Sequence, residues 1–136
     1  MTEPFRTTRR IEFADTDMAG IVHFANFFRF MEAAEVEFLR SRGLTVAMVW
    51  EGQRIGLPRV SASCDFISPA TFQDVLDVAV RVQSIGKKSI TYSFEFSKEG
   101  KPVAKGRVTS VCCKVAGDHH LESMEIPAGF RAKLEA

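Results

Sequence analysis

Residues 13–43 read FADTDMAGIVHFANFFRFMEAAEVEFLRSRG and decide the fold. An acidic strand end with Asp15 and Asp17 runs through a short loop into one amphipathic helix, predicted from about Phe24 or Asn26 to Arg42. Gly43 follows basic residues, as is typical of a helix C-terminus. Such a helix needs other elements to cover its apolar face. Apolar residues recur every three or four positions at Phe24, Phe27, Phe28, Met31, Ala34 and Phe38.

Asp17 stands where chemistry is expected. Gly20 permits the loop to turn, so that the positive N-terminal end of the helix points back toward the carboxylates. A carboxylate beside free backbone N–H groups can form a reaction centre. The alternative is that Asp17 only caps the loop or the helix, which is the better interpretation for a lone aspartate before a helix.

The composition is that of an ordinary globular protein. With 46% hydrophobic and 26% charged residues, the 136-residue chain predicts one domain over 1–136. Eighteen basic and seventeen acidic residues give a net charge of +1, so the overall charge does not attract nucleic acid or an anionic membrane. The sequence lacks the roughly 18-residue apolar stretch of a membrane helix, and MTEPFRTTRR lacks a secretory core, so a cytoplasmic location is expected.

The cysteines are Cys64, Cys112 and Cys113, an odd number without metal-ligand spacing. They lie in apolar strand-like runs, and Cys112 and Cys113 would face opposite sides of one strand. No motif places a histidine beside any of them. We therefore predict free structural thiols, no metal site and no catalytic cysteine.

Outside the long helix the pattern is mainly that of β-strands. A first strand is predicted over 7–14, with Ile11 and Phe13 on one face, and residues 44–58 form a connection with a short helical turn at Val46–Trp50. Four alternating strands follow over about 59–67, 74–85, 88–97 and 103–116, then a short helix over about 127–135. The predicted inward rows are Val60, Ala62, Cys64 and Phe66, then Leu76, Val78, Val80 and Val82, then Ile90, Tyr92, Phe94 and Phe96. Five antiparallel strands that cover one helix make an α+β fold.

Residues 10–35, RIEFADTDMAGIVHFANFFRFMEAAE, resemble the signature of the 4-hydroxybenzoyl-CoA thioesterase-like hotdog proteins. The resemblance continues through GLPRVSASCDF, the DVL strand start, the KKS turn and EIPAGF, and its DxDxxGxVxxxN core is fairly specific. It implies a hotdog fold, in which a five-stranded antiparallel sheet wraps around one long helix. It also implies a homodimer or homotetramer with active sites at the dimer interface.

The resemblance implies roles for residues of the loop and helix. Asp17 matches the family's catalytic carboxylate, acting as nucleophile toward the thioester carbonyl or as general base for water. Phe24 matches the helix-start position whose backbone N–H polarises the carbonyl, so the loop from Gly20 is expected to be rigid. Glu32 matches an acidic position near the acyl pocket, and a solvated helix carboxylate is an equal alternative. The other aspartate, Asp15, is expected to support the loop.

Further binding residues are implied on the strands. Ser61 and Ala62 lie on the strand expected to border the acyl site. Lys87, Lys88 and Ser89 match the basic turn that binds the nucleotide end of coenzyme A. A charged hairpin tip is by itself more often a solvated surface, so this assignment rests on the whole-chain resemblance.

Three departures from the family pattern bear on the substrate. His23 stands where relatives often carry Trp or Tyr, Phe24 replaces a Tyr, and Gly86 replaces a basic residue. In another branch a histidine assists at the position of Phe24, which puts His23 one residue out of register. We interpret His23 as a pocket wall or hydrogen-bonding group.

The implied function is hydrolysis of an aryl- or acyl-CoA thioester to the free acid and CoA. A similarity to dihydroxynaphthoyl-CoA thioesterases favours an aromatic acyl group. Because a thiolate leaves easily, no cofactor is expected beyond the coenzyme A of the substrate. Two alternatives stay open: a non-catalytic acyl-CoA-binding hotdog module, and an enoyl-CoA hydratase, which would need a placed Asp/His pair.

Overall fold

Two antiparallel sheets and two helices make up residues 3–136, the part of the chain that the computed structural model describes. The helices are α1 (Asn26–Ser41) and α2 (Ala128–Glu135), and the strands are β1 (Phe5–Arg10), β2 (Ala47–Trp50), β3 (Gln53–Gly56), β4 (Arg59–Phe66), β5 (Val75–Ile85), β6 (Ser89–Lys98), β7 (Lys101–Val111), β8 (Cys113–Ala116) and β9 (His120–Ser123).

The larger sheet has the strand order β1-β5-β6-β7-β4, and the smaller sheet has the order β2-β3-β8-β9. Neighbouring strands of the larger sheet are antiparallel, and tight turns join β5, β6 and β7 into a meander. The prediction of an α+β fold with antiparallel strands beside a long helix is confirmed. The count of five strands is correct for the larger sheet and wrong for the chain, because it omits the four-stranded sheet.

Helix α1 packs its apolar face on the larger sheet. Its bounds agree with the predicted helix to within about two residues, and Gly43 follows it with φ at 75°, the left-handed conformation that ends a helix. The helix approaches β7 closely because Gly106 has no side chain: a Cβ there would overlap the sulfur of Met31. The buried helix residues are Phe27, Phe30, Met31, Ala34, Glu35, Phe38 and Leu39.

The inward rows predicted for the central strands are confirmed. The buried members are Leu76, Val78, Val80, Ile90, Tyr92, Phe94 and Phe96, and Val82 is partly buried. The row predicted for β4 is wrong, since Val60 is 62% and Phe66 50% exposed. β4 is an edge strand of the larger sheet, and residues 3–136 leave Val60 and Phe66 only partly covered. Alternation reveals a two-faced strand without revealing what covers either face.

The first strand stops at Arg10 instead of reaching residue 14. Residues Phe13–Asp15 form a single 3-10 turn, in which Asp15 is buried and Phe13 is 76% exposed. Ile11 is fully buried, so the prediction that Phe13 shares its face is wrong. The turn changes the direction of the chain before the alternation can continue.

Two further boundaries differ from prediction. The helical turn predicted at Val46–Trp50 is wrong, because β2 and β3 form a hairpin closed by Glu51 and Gly52, both with positive φ. The strand predicted over 103–116 divides at Cys112 into β7 and β8, which belong to different sheets. Short strands of four residues give too little alternation to be recognised in the sequence.

The short C-terminal helix is confirmed as α2. Phe130 and Leu134 are buried, and the Phe130 ring meets the Trp50 ring edge to face at a centroid distance of 5.5 Å. Gly129 permits this contact, because a Cβ there would lie 2.9 Å from Cζ2 of Trp50. Trp50 therefore closes the core beneath α2.

The three cysteines are free thiols, as predicted. Burial raises the pKa of Cys64 and of Cys112 to about 11, which keeps both thiols protonated at neutral pH. Cys112 lies in the break between β7 and β8 and is buried like Cys113, so the two do not flank one strand.

In the part of the chain that the structure describes, neither helix is long and apolar enough to span a membrane. Residues 3–136 also contain no cluster of three or more histidine, cysteine or acidic side chains placed to hold a metal ion.

Candidate active site

The loop between the 3-10 turn and α1 is held by Asp15. Its buried carboxylate accepts a 2.8 Å hydrogen bond from the Glu12 N–H, and its carbonyl accepts bonds from the His23 N–H at 2.9 Å and from Asn26 Nδ2 at 2.8 Å. Asn26 is the last residue of the DxDxxGxVxxxN motif, so the spacing of the motif has a structural reason. The prediction that Asp15 supports the loop is therefore matched by its contacts.

Asp17 lies in the exposed tip of the same loop. Its N–H donates to the Ile21 carbonyl and its carbonyl accepts from the Gly20 N–H, both at 2.9 Å. Gly20 has φ at 82°, the left-handed conformation that this turn requires. The Oδ1 atom accepts a 2.8 Å bond from the Ala19 N–H, so Asp17 does cap the loop. Its Oδ2 atom has no hydrogen-bond partner within residues 3–136 and faces solvent.

The backbone N–H of Phe24 donates to no acceptor within residues 3–136, whereas its neighbours are all engaged. The N–H groups of His23, Ala25 and Asn26 donate to Asp15, His23 and His23 respectively. An isolated antiparallel β-bridge pairs Thr16 with Val22, so the two sides of the loop run in opposite directions. The loop thus presents a free carboxylate oxygen and a free amide from one short, hydrogen-bonded segment.

An apolar hollow of about 440 Å³ opens beside Phe24. The Phe24 ring is 61% exposed and meets the Phe66 ring edge to face, with centroids 6.1 Å apart. The Phe66 ring also contacts the buried Phe27 ring at 5.6 Å. The sequence placed Phe66 in the core, but the exposed end of β4 makes it a wall of this hollow. The lining residues are Ile21, Val22, Phe24, Phe27, Phe66, Ile67, Ser68, Pro69 and Ala70.

His23 makes local contacts only. Its Nδ1 accepts a 3.3 Å bond from the Ala25 N–H, and its ring stacks on the Phe24 ring at 5.0 Å. Both contacts hold the entry to α1. This arrangement fits the interpretation of His23 as a hydrogen-bonding group, and His23 is not among the residues that line the hollow.

Glu32 lies on the exposed side of α1, with its carboxylate 3.7 Å from the Arg59 guanidinium. Arg59 binds the buried Glu35 more closely, through Nη2 at 2.6 Å and Nε at 3.0 Å, and Ser110 Oγ donates to Glu35 at 3.4 Å. Burial raises the pKa of Glu35, while the bonds from Arg59 and Ser110 oppose that rise. This pair was not predicted from the sequence, although Glu35 stands on the apolar face of the helix.

The remaining predicted residues lie apart from the loop. Ser61 and Ala62 are exposed on β4, where they pair with Thr109 and Val108 of β7. Lys87, Lys88 and Ser89 lie at the β5–β6 turn, whereas the loop joins the sheet beside the start of β5. The eleven residues of β5 span about 33 Å, so one chain does not bring the turn and Asp17 together.

Comparisons of this chain with protein families, individual proteins and solved structures agree with one another. A family model described as the thioesterase-like superfamily matches residues 11–134. The 1,4-dihydroxy-2-naphthoyl-CoA hydrolase of Synechococcus sp. (strain RCC307) is 32% identical over 130 residues, with 93% of this chain and 97% of that protein covered. The 4-hydroxybenzoyl-CoA thioesterase of Pseudomonas sp. (strain CBS-3) is 32% identical over 136 residues, with 96% of each covered.

A solved structure extends the likeness to the fold. The crystal structure of a 1,4-dihydroxy-2-naphthoyl-CoA thioesterase from Synechocystis superposes with a TM-score of 0.83 at 25% identity. The superposition covers 96% of this chain and 94% of that one. The likeness therefore extends over both sheets and both helices.

Proposed function

Because the chain belongs to the thioesterase-like superfamily and is a thioester hydrolase, we propose that Asp17 and the Phe24 amide hydrolyse an aryl- or acyl-CoA thioester. The resemblance to hotdog thioesterases stated from the sequence is confirmed. Relatives named as CoA thioesterases and hydrolases favour hydrolysis over a non-catalytic module or a hydratase.

Asp17 has two chemical routes. As a nucleophile, its carboxylate attacks the carbonyl carbon, the C–S bond breaks, and CoA leaves as a thiolate. One water then cleaves the mixed anhydride to the free acid and regenerates the Asp17 carboxylate, and the proton released goes to the thiolate. As a general base, Asp17 takes a proton from the water that attacks the same carbon and passes it to the leaving sulfur. Either route consumes one water and yields one acid and one thiol, without a cofactor.

The free N–H of Phe24 carries the proposal. A carbonyl oxygen gains negative charge as either nucleophile attacks, and a donor without an internal partner can stabilise that charge without first breaking a hydrogen bond. The N–H lies just before α1, where the helix dipole adds a favourable field. The hydrogen bonds of Asp15 and Asn26 would keep this donor fixed during turnover.

The apolar hollow beside Phe24 supports an aromatic acyl group. The rings of Phe24, Phe27 and Phe66 offer edges and faces to a flat ligand. The relatives described above are named for 1,4-dihydroxy-2-naphthoyl-CoA and 4-hydroxybenzoyl-CoA. We place the acyl group in this hollow. His23, Glu32, Ser61 and Ala62 are not among its lining residues, and their role in substrate binding stays a proposal that rests on the family resemblance.

A panel of CoA thioesters tests the proposal. Purified protein is expected to release thiol from 4-hydroxybenzoyl-CoA and 1,4-dihydroxy-2-naphthoyl-CoA faster than from acetyl-CoA, because acetate leaves the hollow mostly unfilled. Thiol is measured continuously with a disulfide reagent. Failure to cleave any CoA thioester would refute the proposed reaction, and a preference for acetyl-CoA would refute the aromatic pocket.

We further propose that the site is completed by another copy of the chain, in a homodimer or homotetramer. Strand β4 pairs only with β7 among residues 3–136, so its other backbone edge is open to a second chain. The exposed side chains of Val60 and Phe66 add apolar surface to the same strand. A second chain could bring a Lys87–Ser89 turn to the coenzyme A held at Asp17. The turn and Asp17 would then meet across two chains, although they lie about 33 Å apart along β5 within one chain.

Light scattering measures the assembly. The chain is expected to have two or four times its monomer mass, and Val60→Lys is expected to give monomers with little activity, because a charge on an edge strand opposes pairing. Leu121→Lys, at an exposed apolar position on β9, is the matched control and should leave the mass unchanged. A fully active monomer would contradict the shared site.

A further inference from the structure

The turn between β5 and β6 directs its carbonyl groups into the protein. The Gly86 carbonyl accepts a 2.6 Å bond from Arg131 Nη2. The Lys87 carbonyl accepts a 2.9 Å bond from the Ile126 N–H, and the Lys88 carbonyl accepts a 2.7 Å bond from the Cys112 N–H. Three successive carbonyls are therefore held by three separate donors, two of them from the C-terminal segment.

The N–H groups of the same turn point the other way. The N–H groups of Lys87 and Lys88 donate to no acceptor within residues 3–136, whereas the Gly86 N–H closes the turn onto the Ser89 carbonyl at 2.8 Å. Both lysine side chains are exposed. Two successive amides without acceptors among residues 3–136, beside two ammonium groups, are the donors that phosphate oxygens bind.

Helix α2 is firmly placed behind this turn. Phe130 and Leu134 are buried, and the close contact of Gly129 with Trp50 fixes the start of the helix. Arg131 therefore reaches Gly86 from a rigid element. One of its N–H groups is used by the Gly86 carbonyl, and its positive charge remains beside the turn.

We infer that Arg131 is a positioning residue for a phosphate site formed by the backbone N–H groups and ammonium groups of Lys87 and Lys88. The inference rests on the proposed function, which supplies the ligand: the phosphate groups of coenzyme A. By binding the Gly86 carbonyl, Arg131 holds the peptide planes so that the next two N–H groups face outward. The C-terminal helix, to which the sequence assigned no role, thus serves substrate binding.

Two substrates separate this role from a general effect on the enzyme. One is an acyl-CoA and the other is the same acyl group on N-acetylcysteamine, which lacks phosphates. Arg131→Met is expected to raise KM for the CoA thioester about tenfold, the effect of losing one charge-assisted hydrogen bond. The value of kcat and the KM for the N-acetylcysteamine thioester should stay within about twofold. Arg131→Lys keeps a cationic donor of similar reach and should restore most of the KM.

Lys133→Met is the matched control, because it removes one positive charge from the same helix at an exposed position away from the turn. It should leave both KM values unchanged. If Arg131→Met unfolds the protein, Lys87→Met tests the same site, since the exposed Lys87 side chain makes no hydrogen bond within residues 3–136. An unchanged KM for the CoA thioester, or an equal rise for both thioesters, would overturn the inference.

Calorimetry with desulfo-CoA separates this inference from the proposed reaction. Arg131→Met is expected to raise Kd for desulfo-CoA about tenfold, and this holds even if no thioester is cleaved. If thioesters are cleaved but Kd is unaffected, the phosphate site is wrong while the proposed reaction stands.

Discussion

Replacing Asp17 with asparagine is expected to lower kcat for CoA-thioester hydrolysis by roughly 10³-fold or more, with little change in the melting temperature. A carboxamide neither attacks a thioester nor accepts a proton from water at neutral pH, so both proposed routes are lost. The fold is kept because the Asn Oδ1 atom can still accept the 2.8 Å bond from the Ala19 N–H. The measurement is initial-rate thiol release at saturating substrate.

Asp118→Asn is the matched control for Asp17→Asn. Asp118 is also exposed in a turn, between β8 and β9, and the substitution changes the charge by the same amount. It should retain the kcat of the unmodified chain. Comparable losses in the two variants would mean that overall charge, and not the carboxylate of the loop, governs the rate.

Replacing Phe24 with proline is expected to lower kcat by about 10²- to 10³-fold, which corresponds to the 2.7–4 kcal/mol attributed to one oxyanion donor. Proline removes the backbone N–H together with the ring, and it fixes φ near the value found at helix starts. Because the Phe24 N–H makes no hydrogen bond within residues 3–136, the substitution breaks none of the described bonds. The Phe24 carbonyl remains able to accept from the Phe27 N–H at 3.2 Å.

Phe24→Ala separates the amide from the ring. It keeps the N–H and removes the contacts of the ring with His23 and Phe66. We expect kcat within a few fold of the unmodified value and a higher KM for aromatic substrates. If Phe24→Ala lost as much kcat as Phe24→Pro, the side chain would be the important group and the amide would have no special role.

The parts of the fold that the sequence predicts well are long and strongly periodic. Helix α1 has sixteen residues with apolar side chains at helical spacing, and β5, β6 and β7 each have ten or more. The β2–β3 hairpin has four residues in each strand, and its turn lacks an Asn-Gly or Asp-Gly pair. Patterns this short cannot be distinguished from a helical turn.

The candidate active site also has parts that the sequence predicts well and parts that it does not. Most hydrogen bonds that close the loop from Asp15 to Asn26 join residues at most eleven positions apart, so a contiguous motif describes most of it. The bond from the Val22 N–H to the Ala70 carbonyl is an exception. The bonds of Arg59 to Glu35 and of Arg131 to Gly86 join residues 24 and 45 positions apart. Such pairings depend on how the elements pack and leave no local pattern. The exposed face of β4 is a similar case, because its cover would come from a second chain.

The most direct test of the proposed reaction is the stoichiometry of products from 4-hydroxybenzoyl-CoA, measured for the unmodified chain and Asp17→Asn in the same buffer. Free acid and CoA thiol are quantified together by chromatography. The proposal predicts equal amounts of acid and thiol at a steady rate from the unmodified chain, and a rate near the uncatalysed background from Asp17→Asn. Equal rates from the two proteins, or binding of the thioester without either product, would contradict it.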